Sequence, residues 1–145
     1  NSFKSVNMKR KDPQYKYKHA MLLDDNELDN FINQKIIEAN HFAAKIYVNT
    51  SSKSALEFLN NLSILSTESV DIFPEIIFVD LNMPMMDGFQ FIENLLKNLP
   101  EKSKSLKLAV LTSSTNPNDR QKANSISKNI VFLNKPLTQQ MLDQL

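Results

Sequence analysis

Five short, mostly apolar runs alternate along this chain with segments whose apolar residues recur at helical spacing. The runs are residues 19–23, 44–48, 76–79, 106–111 and 130–133. Runs of this length that lack a regular polar alternation are typical of strands buried on both faces. Strands that alternate with helices form a parallel sheet covered by helices on each side. The alternation therefore predicts an α/β protein with a doubly wound, five-stranded parallel sheet in a three-layer α/β/α sandwich.

The helices between these strands are predicted from apolar residues three and four positions apart. The first follows Asn26, and its apolar face is predicted from Leu28, Phe31, Ile32, Ile36 and Ala39. Asn116 and Pro117 provide a cap and a first residue for a later helix that runs to about residue 125. That helix has little apolar surface, so we expect it to be weakly anchored to the sheet.

The chain has the length of one domain, and its charge is unevenly distributed. Residues 1–18 carry six basic side chains and one acidic one and are predicted to be a flexible leader, whereas residues 19–145 are predicted to be the folded domain. The acidic domain argues against direct nucleic acid binding. The lack of cysteine fits a cytoplasmic location, and we expect no signal peptide and no membrane insertion.

Gly88 is the single glycine of the chain. Phosphate-binding loops of the Walker and Rossmann types need several glycines, so both are excluded. A lone glycine tends to mark a backbone position that no other residue can serve. Gly88 therefore calls for a local structural reason.

Polar residues follow four of the five predicted strands, at the sheet edge where ligands bind in this fold class. They are Asp24 and Asp25, Asp80, Thr112 and Ser113, and Lys135. Three carboxylates in close proximity repel one another unless a cation is present. Oxygen ligands without histidine or cysteine favour Mg²⁺, with Mn²⁺ as a substitute.

The residues at this edge of the sheet are predicted to take part in phosphoryl transfer. A carboxylate is a known covalent acceptor, and Asp80, at the end of the central strand, is the best candidate nucleophile. Lys135 would place a positive charge near a phosphoryl oxygen, and Thr112 would donate a hydrogen bond to another. Both contributions stabilise charge during transfer.

Four sequence motifs resemble the receiver domains of two-component response regulators, which have a flavodoxin-like fold. They are Leu22-Leu23-Asp24-Asp25, the segment from Phe78 to Gly88 that contains Asp80, Met83-Pro84 and Asp87-Gly88, Val110-Leu111-Thr112-Ser113, and Lys135-Pro136. The resemblance covers residues 19–145, and the central segment is its most specific part. It is closest to stand-alone, chemotaxis-type regulators.

The resemblance implies a role for each matching residue. Asp80 is the phosphoacceptor, and Thr112 and Lys135 hold the phosphoryl oxygens. Asp24, Asp25, Asp80 and the backbone carbonyl of Asn82 would form the Mg²⁺ site. Phe132 is the aromatic switch residue, and Pro136 often follows a cis peptide bond in this family.

Two departures from the family pattern affect these expectations. Ser127-Lys128-Asn129 stands where many receivers have a Gly-Ala pair, and Asn129 is expected to supply a positive φ there. Thr112 and Lys135 are one residue further apart than in common members, so Ser113 competes with Thr112 for the hydroxyl role.

The resemblance also implies partners and a mechanism. A histidine kinase or histidine phosphotransfer protein would donate the phosphoryl group, and a downstream protein would bind residues 113–126 and 132–137. The chain would catalyse only its own phosphorylation and dephosphorylation. Because no output domain follows residue 145, it is expected to act alone through partners or to be a fragment of a longer regulator.

Three alternatives remain open from the sequence. One is a receiver-like interaction module that never carries phosphate. Another is a haloacid-dehalogenase-like phosphatase, although Asn82 stands where that class has a second aspartate. The last is a flavodoxin-like FMN carrier, although acids replace its hydroxyl-rich loop after the first strand.

Overall fold

The computed structural model describes residues 14–145 as a five-stranded sheet surrounded by helices. The strands are β1 (Tyr17–Leu23), β2 (Ala43–Asn49), β3 (Ile76–Val79), β4 (Lys107–Thr112) and β5 (Val131–Asn134). The helices are α1 (Glu27–Ala39), α2 (Ser52–Leu65), α3 (Gly88–Asn98), α4 (Pro100–Ser103), α5 (Pro117–Ile126) and α6 (Gln139–Asp143). The predicted strand and helix order is confirmed, with α4 as an additional single turn.

All strand pairs are parallel, in the order β2-β1-β3-β4-β5. This order confirms the predicted doubly wound sheet and places β3 at its centre. In the register of the central pairs, Leu23 lies opposite Val79, and Val79 lies opposite Val110. The residues that follow β1, β3 and β4 are therefore neighbours at one edge of the sheet.

Two apolar clusters cover the two faces of the sheet. Successive residues of the central strands alternate between them: Ile77 and Val79 belong to one, and Ile76 and Phe78 to the other. Helices α2, α3 and α5 contribute to the first cluster, whereas α1 and α6 contribute to the second. Burial on both faces explains why β3 is apolar throughout.

Most of the apolar face predicted for α1 is exposed, although Ile36 packs against the second apolar cluster. Leu28, Phe31 and Ile32 are 65%, 56% and 42% exposed, whereas the buried residues of the helix are Asn30, Asn33 and Ile37. The ammonium of Lys35 lies 5.3 Å from the ring centroid of Phe31 on this outer side. Both buried asparagines lie near the acidic edge of the sheet, where they line a small cavity together with Asp24 and Asp80.

The cap predicted at Asn116 is confirmed, and Asn26, which precedes the first predicted helix, also caps its helix. The side chain of Asn26 accepts a hydrogen bond from the backbone of Asp29, and that of Asn116 accepts one from Asn118. Ala123 is the one fully buried residue of α5. The prediction that this helix is weakly anchored therefore agrees with its packing.

Two local expectations differ from the structure. β1 begins at Tyr17, so Tyr17 and Lys18 of the predicted leader belong to the sheet, and residues 1–13 lie outside the described residues. Within residues 14–145, positive φ among residues other than glycine occurs at His41 and Met85. Asn129 does not adopt it, and the turn before β5 instead uses a hydrogen bond from Ile130 to the carbonyl of Ser127.

Within the described part of the chain, no helix is long and apolar enough to cross a membrane.

Candidate functional site

Three carboxylates converge at the carboxyl edge of the sheet. Asp24 and Asp25 follow β1, Asp80 follows β3, and one oxygen from each lies within 4.8 Å of the others. The backbone N–H of Asp80 donates to the carbonyl of Leu23, and the N–H of Asp24 donates to the carbonyl of Asn49. Asp24 and Asp80 thus each extend a strand, and a backbone hydrogen bond to the neighbouring strand fixes each of them.

Hydrogen bonds hold both the carboxylate and the main-chain carbonyl of Asp24. One carboxylate oxygen accepts from the backbone of Asn26 at 2.9 Å, and its main-chain carbonyl accepts from Nδ2 of Asn30 at 2.8 Å. Both Asp24 and Asn30 are buried, whereas Asp25 is exposed. Oδ1 of Asn30 has no hydrogen-bond partner among the described residues. Asp25 is therefore the most accessible carboxylate of the three, and Asp24 the most constrained.

Lys135 brings its ammonium into this acidic cluster from β5. Its Nζ lies 2.7 Å from Asp24 and 2.8 Å from Asp29, and 3.4 Å from Oδ1 of Asp80. The backbone N–H of Lys135 donates to the carbonyl of Thr112 at 2.8 Å, which fixes the end of β5 against β4. Residues 111 positions apart in sequence are thus in direct contact.

The electrostatics of the cluster follow from burial and from mutual repulsion. Burial, followed by the charge of Asp24, raises the pKa of Asp80 to about 6, and Lys135 only partly offsets this. Burial acts to lower the pKa of Lys135, but its hydrogen bonds to Asp24 and Asp29 outweigh that effect and raise the pKa above its ordinary value. Lys135 therefore stays charged, while Asp80 is an aspartate whose ionised form is costly.

The β4 end of the site is formed by Thr112 and the loop after it. Thr112 is fully buried, and its hydroxyl oxygen accepts from the backbone of Ser114 at 3.1 Å, whereas Ser113 is exposed. Nδ2 of Asn134 donates to the carbonyl of Ser114 at 2.6 Å. The loop that carries the two candidate hydroxyls is thereby tied to the residue before Lys135.

The backbone at the end of β3 explains why residue 88 is a glycine. A Cβ atom on Gly88 would lie 2.4 Å from the carbonyl oxygen of Asp80 and 2.9 Å from Cα of Leu81. The N–H of Gly88 also donates to the carbonyl of Leu81 at 3.0 Å. Close approach of two backbone segments, and not a positive φ, is therefore the reason for glycine here. In the loop after β3 the Asn82 side chain is exposed, and Met85 is fully exposed with a φ of 71°.

Phe132 and Pro136, two of the three residues predicted to take part in switching, lie on β5 and directly after it, whereas the third, Ser113, follows β4. Phe132 is half-buried, and the guanidinium carbon of Arg120 lies 4.7 Å from its ring centroid. The Lys135–Pro136 peptide bond is cis, as the resemblance implies. Arg120 therefore connects the thinly anchored α5 to the aromatic residue of β5.

The donor set fits a hard divalent cation. Asp24, Asp25 and Asp80 supply only oxygen ligands at one edge, and the main-chain carbonyls of the nearby loop are of the same kind. Such a set matches the chemistry of Mg²⁺ or Mn²⁺ and is poorly suited to thiophilic metals.

Sequence reasoning missed three residues that hold this site: Asp29, Asn30 and Asn134. Asp29 lies in the first turn of the helix that follows Asp24 and Asp25, and an acid so close to the predicted site could have indicated it. The sequence carries no comparable signal for the two asparagines. Their role rests on hydrogen bonds to backbone carbonyls, which only the structure shows.

A parallel 2-1-3-4-5 sheet with an acidic, lysine-containing site at its carboxyl edge defines a class of α/β phosphoacceptor proteins. Comparison with solved structures agrees. A two-component response regulator from Cytophaga hutchinsonii superposes with a TM-score of 0.78 at 30% identity, over 88% of this chain and 92% of that chain.

More distant structures share the fold. The chemotaxis protein CheY4 of Vibrio cholerae gives a TM-score of 0.66 at 19% identity, covering 88% of this chain and 94% of that one. The Mn²⁺-bound form of the response regulator Rcp1 gives 0.65 at 21%, covering 88% of each chain. A comparison with curated protein sequences gave no significant match.

The model of the response regulator receiver domain matches residues 20–145, and the chain belongs to this family. Its members act in phosphoacceptor signalling: they accept phosphoryl groups from histidine kinases and act on downstream targets. The family is generally not enzymatic.

Proposed function

We propose that this chain is a signalling switch that receives a phosphoryl group on Asp80 in a Mg²⁺-dependent reaction. The observation that supports this most directly is the placement of the Lys135 ammonium 3.4 Å from Asp80, beside a triad of carboxylates. An acidic edge alone is a common feature, but a buried carboxylate that faces both a lysine and two further acids has the makeup of a phosphoryl acceptor.

In the proposed reaction, an ionised oxygen of Asp80 forms a bond to phosphorus. The bond between phosphorus and the leaving group of the donor breaks, and that group departs with the electron pair. With a phosphohistidine as donor, on a histidine kinase or a phosphotransfer protein, the leaving imidazole takes up a proton. Lys135 and the Thr112 hydroxyl would bind phosphoryl oxygens, with Ser113 as the alternative hydroxyl.

Asp24, Asp25, Asp80 and the carbonyl of Asn82 are the residues that would hold Mg²⁺. When bound, the ion neutralises negative charge that builds up between the carboxylates and the phosphoryl group. The chain's own contribution is to fix Asp80 through its backbone bond to Leu23 and to keep Lys135 charged.

Phosphate incorporation from acetyl phosphate tests the acceptor. We expect labelling of the wild-type protein in the presence of Mg²⁺ and little without it, and at least a roughly 100-fold loss in Asp80→Asn because the amide is not a nucleophile. Asp143→Asn, which changes an exposed carboxylate on α6, is the control and should label normally. Undiminished labelling of Asp80→Asn would refute the assignment.

We further propose that phosphorylation moves Thr112 toward the phosphoryl group and Phe132 into the space that it leaves. The thin anchoring of α5, with Ala123 as its buried residue, makes such a shift inexpensive. The surface that changes would be residues 113–126 and 132–137, including Pro136, and it would bind the downstream protein.

Backbone amide chemical shifts recorded before and after acetyl phosphate is added with Mg²⁺ test this switch. We expect the largest changes outside the metal site to fall in α5 and β5. The shifts in α2 serve as an internal reference, because that helix packs on the sheet through several buried residues. Changes confined to residues next to Asp80 would contradict a switch of this kind.

An interaction module that never carries phosphate is the remaining alternative, and the labelling assay separates it from the acceptor. The phosphatase and FMN alternatives receive no support from the structure, because Asp80 follows the third strand and acids follow the first. The cytoplasmic location stays a prediction.

A further inference from the structure

Asp29 contacts the site through one group, the ammonium of Lys135. It is not part of the three-carboxylate cluster, and its carboxylate lies 2.8 Å from Nζ. Among residues 14–145, Lys135 is the only side chain to which the Asp29 carboxylate is hydrogen-bonded. Any influence of Asp29 on the chemistry at Asp80 must therefore pass through Lys135 or through its charge at a distance.

The position of Asp29 is fixed by the start of α1. Its backbone N–H donates to the side chain of the cap residue Asn26 at 3.0 Å, and the backbone of Asn26 in turn donates to Asp24. Asp29 and Asp24 are thereby presented to Lys135 as a pair from the same turn. Two charge-assisted hydrogen bonds from one side hold an ammonium in a defined place.

The three distances around Lys135 show where the ammonium is drawn. Its two short contacts, 2.7 Å and 2.8 Å, are to Asp24 and Asp29, and the contact to Asp80 is longer at 3.4 Å. Two of the three N–H groups of the ammonium are directed to Asp24 and Asp29, so a phosphoryl oxygen on Asp80 is left with the third unless one of these bonds is released. A carboxylate that holds Lys135 on the α1 side disfavours its transfer to the phosphoryl group.

We propose that Asp29 is a positioning residue that restrains Lys135 on the α1 side of the site and thereby limits the phosphorylation of Asp80. This inference rests on the proposed function for its kinetic consequence, but the contact itself does not. Asp29 lies outside the motifs that the chain shares with its family. The restraint would therefore set the rate at which this particular chain accepts a phosphoryl group.

The matched variants are Asp29→Asn and Glu27→Gln. Both remove one negative charge from the first turn of α1, but Glu27 is exposed and makes no hydrogen bond to Lys135. They therefore share the loss of helix-dipole stabilisation and the change in net charge, and they differ in the contact. Asp29→Glu keeps the charge and serves as the conservative variant.

The first measurement is the ¹H–¹⁵N resonance of the Lys135 ammonium in magnesium-free buffer, assigned by its disappearance in Lys135→Met. We expect it to shift in Asp29→Asn and to stay in place in Glu27→Gln. An unchanged resonance in Asp29→Asn would overturn the proposal. This measurement needs no phosphorylation, so its result does not depend on whether Asp80 is the acceptor.

The second measurement is the initial rate of labelling by acetyl phosphate with Mg²⁺. A neutral amide oxygen accepts more weakly than a carboxylate, so the weaker hold on Lys135 should raise the rate about threefold or more in Asp29→Asn. Glu27→Gln should stay within about 1.5-fold of wild type, because surface charges act weakly at a distance. Asp29→Glu should restore a rate close to wild type.

The outcomes distinguish a failure of the Asp29 restraint from a failure of the proposed function. Equal rates in Asp29→Asn and Glu27→Gln, or a slower rate in Asp29→Asn, would overturn the restraint. Failure of the wild-type protein to label at all would refute the proposed function instead, and the ammonium resonance would then still decide whether Asp29 holds Lys135.

Discussion

Gly88 shows how one backbone position supports the acceptor residue. The glycine lies at the start of α3, where a helix cap formed by Asp87 and Gln90 turns the chain back onto the end of β3. The carbonyl of Asp80 and Cα of Leu81 occupy the space that a side chain would need. Because both obstacles are backbone atoms, they cannot rotate away as a side chain could.

We therefore expect Gly88→Ala to lower the free energy of unfolding by about 1–3 kcal/mol, the usual cost of an overpacked site. It should also slow labelling, because the shift needed to admit the methyl group moves Asp80. Urea denaturation measures the first effect, and Glu93→Ala at an exposed position of α3 is the control. Wild-type stability in Gly88→Ala would show that the loop yields freely and would contradict the close approach.

At the level of elements, α1 departs most from its sequence pattern. Three residues of its apolar pattern, Leu28, Phe31 and Ile32, lie on the outer side, while Asn30 and Asn33 are buried with Ile37. In this orientation Asn30 reaches the carbonyl of Asp24 and holds the acidic turn, while Ile36 and Ile37 pack against the core. The buried side of the helix thus combines a polar contact to the site with apolar packing on the sheet.

This rotation predicts an unequal response to truncation. Ile37→Ala removes a fully buried side chain and should cost about 2–4 kcal/mol, whereas Leu28→Ala removes a mostly exposed one and should stay within about 0.5 kcal/mol. Thermal and urea unfolding of the two variants give the comparison. A larger loss in Leu28→Ala than in Ile37→Ala would favour the helix face read from the sequence and contradict the structure.

At the scale of the whole molecule, ionisation of Asp80 lowers stability at neutral pH. Folding raises the pKa of Asp80 from 3.8 to about 6, so the native state binds a proton more tightly than the unfolded chain. The contribution of Asp80 to stability therefore falls as pH rises between about 4 and 6, and its full penalty is present above that window. Below it, both states are protonated and the penalty vanishes.

Asp80→Asn removes this titration and leaves Lys135 its bonds to Asp24 and Asp29. In magnesium-free buffer the variant should be about 1–3 kcal/mol more stable than wild type at pH 7.5, and the difference should shrink toward zero near pH 4. Denaturation series at several pH values measure it, with Asp143→Asn as the control. A stability difference that is independent of pH would show that ionisation of Asp80 is not its cause.

Much of this architecture was predictable because it depends on local pattern. Apolar runs without alternation identified buried parallel strands, and Asn26 and Asn116 identified helix starts. The acidic residues, Thr112 and Lys135 could be assigned to one edge because parallel strands present their carboxyl ends together. Strand bounds shifted by one or two residues, as at Tyr17, where pairing with a neighbouring strand extends the element.

The sequence by itself determined the order of strands and helices, the layered fold and the residue types gathered at the edge, since these follow from periodicity and from connection rules. Only the tertiary structure decided which side of α1 is buried, that Asp29 shares Lys135 with the site, and that Gly88 abuts the carbonyl of Asp80. These contacts depend on how each helix is rotated about its axis and on the distances between elements that are far apart in sequence. The spacing of residues along the chain specifies neither quantity.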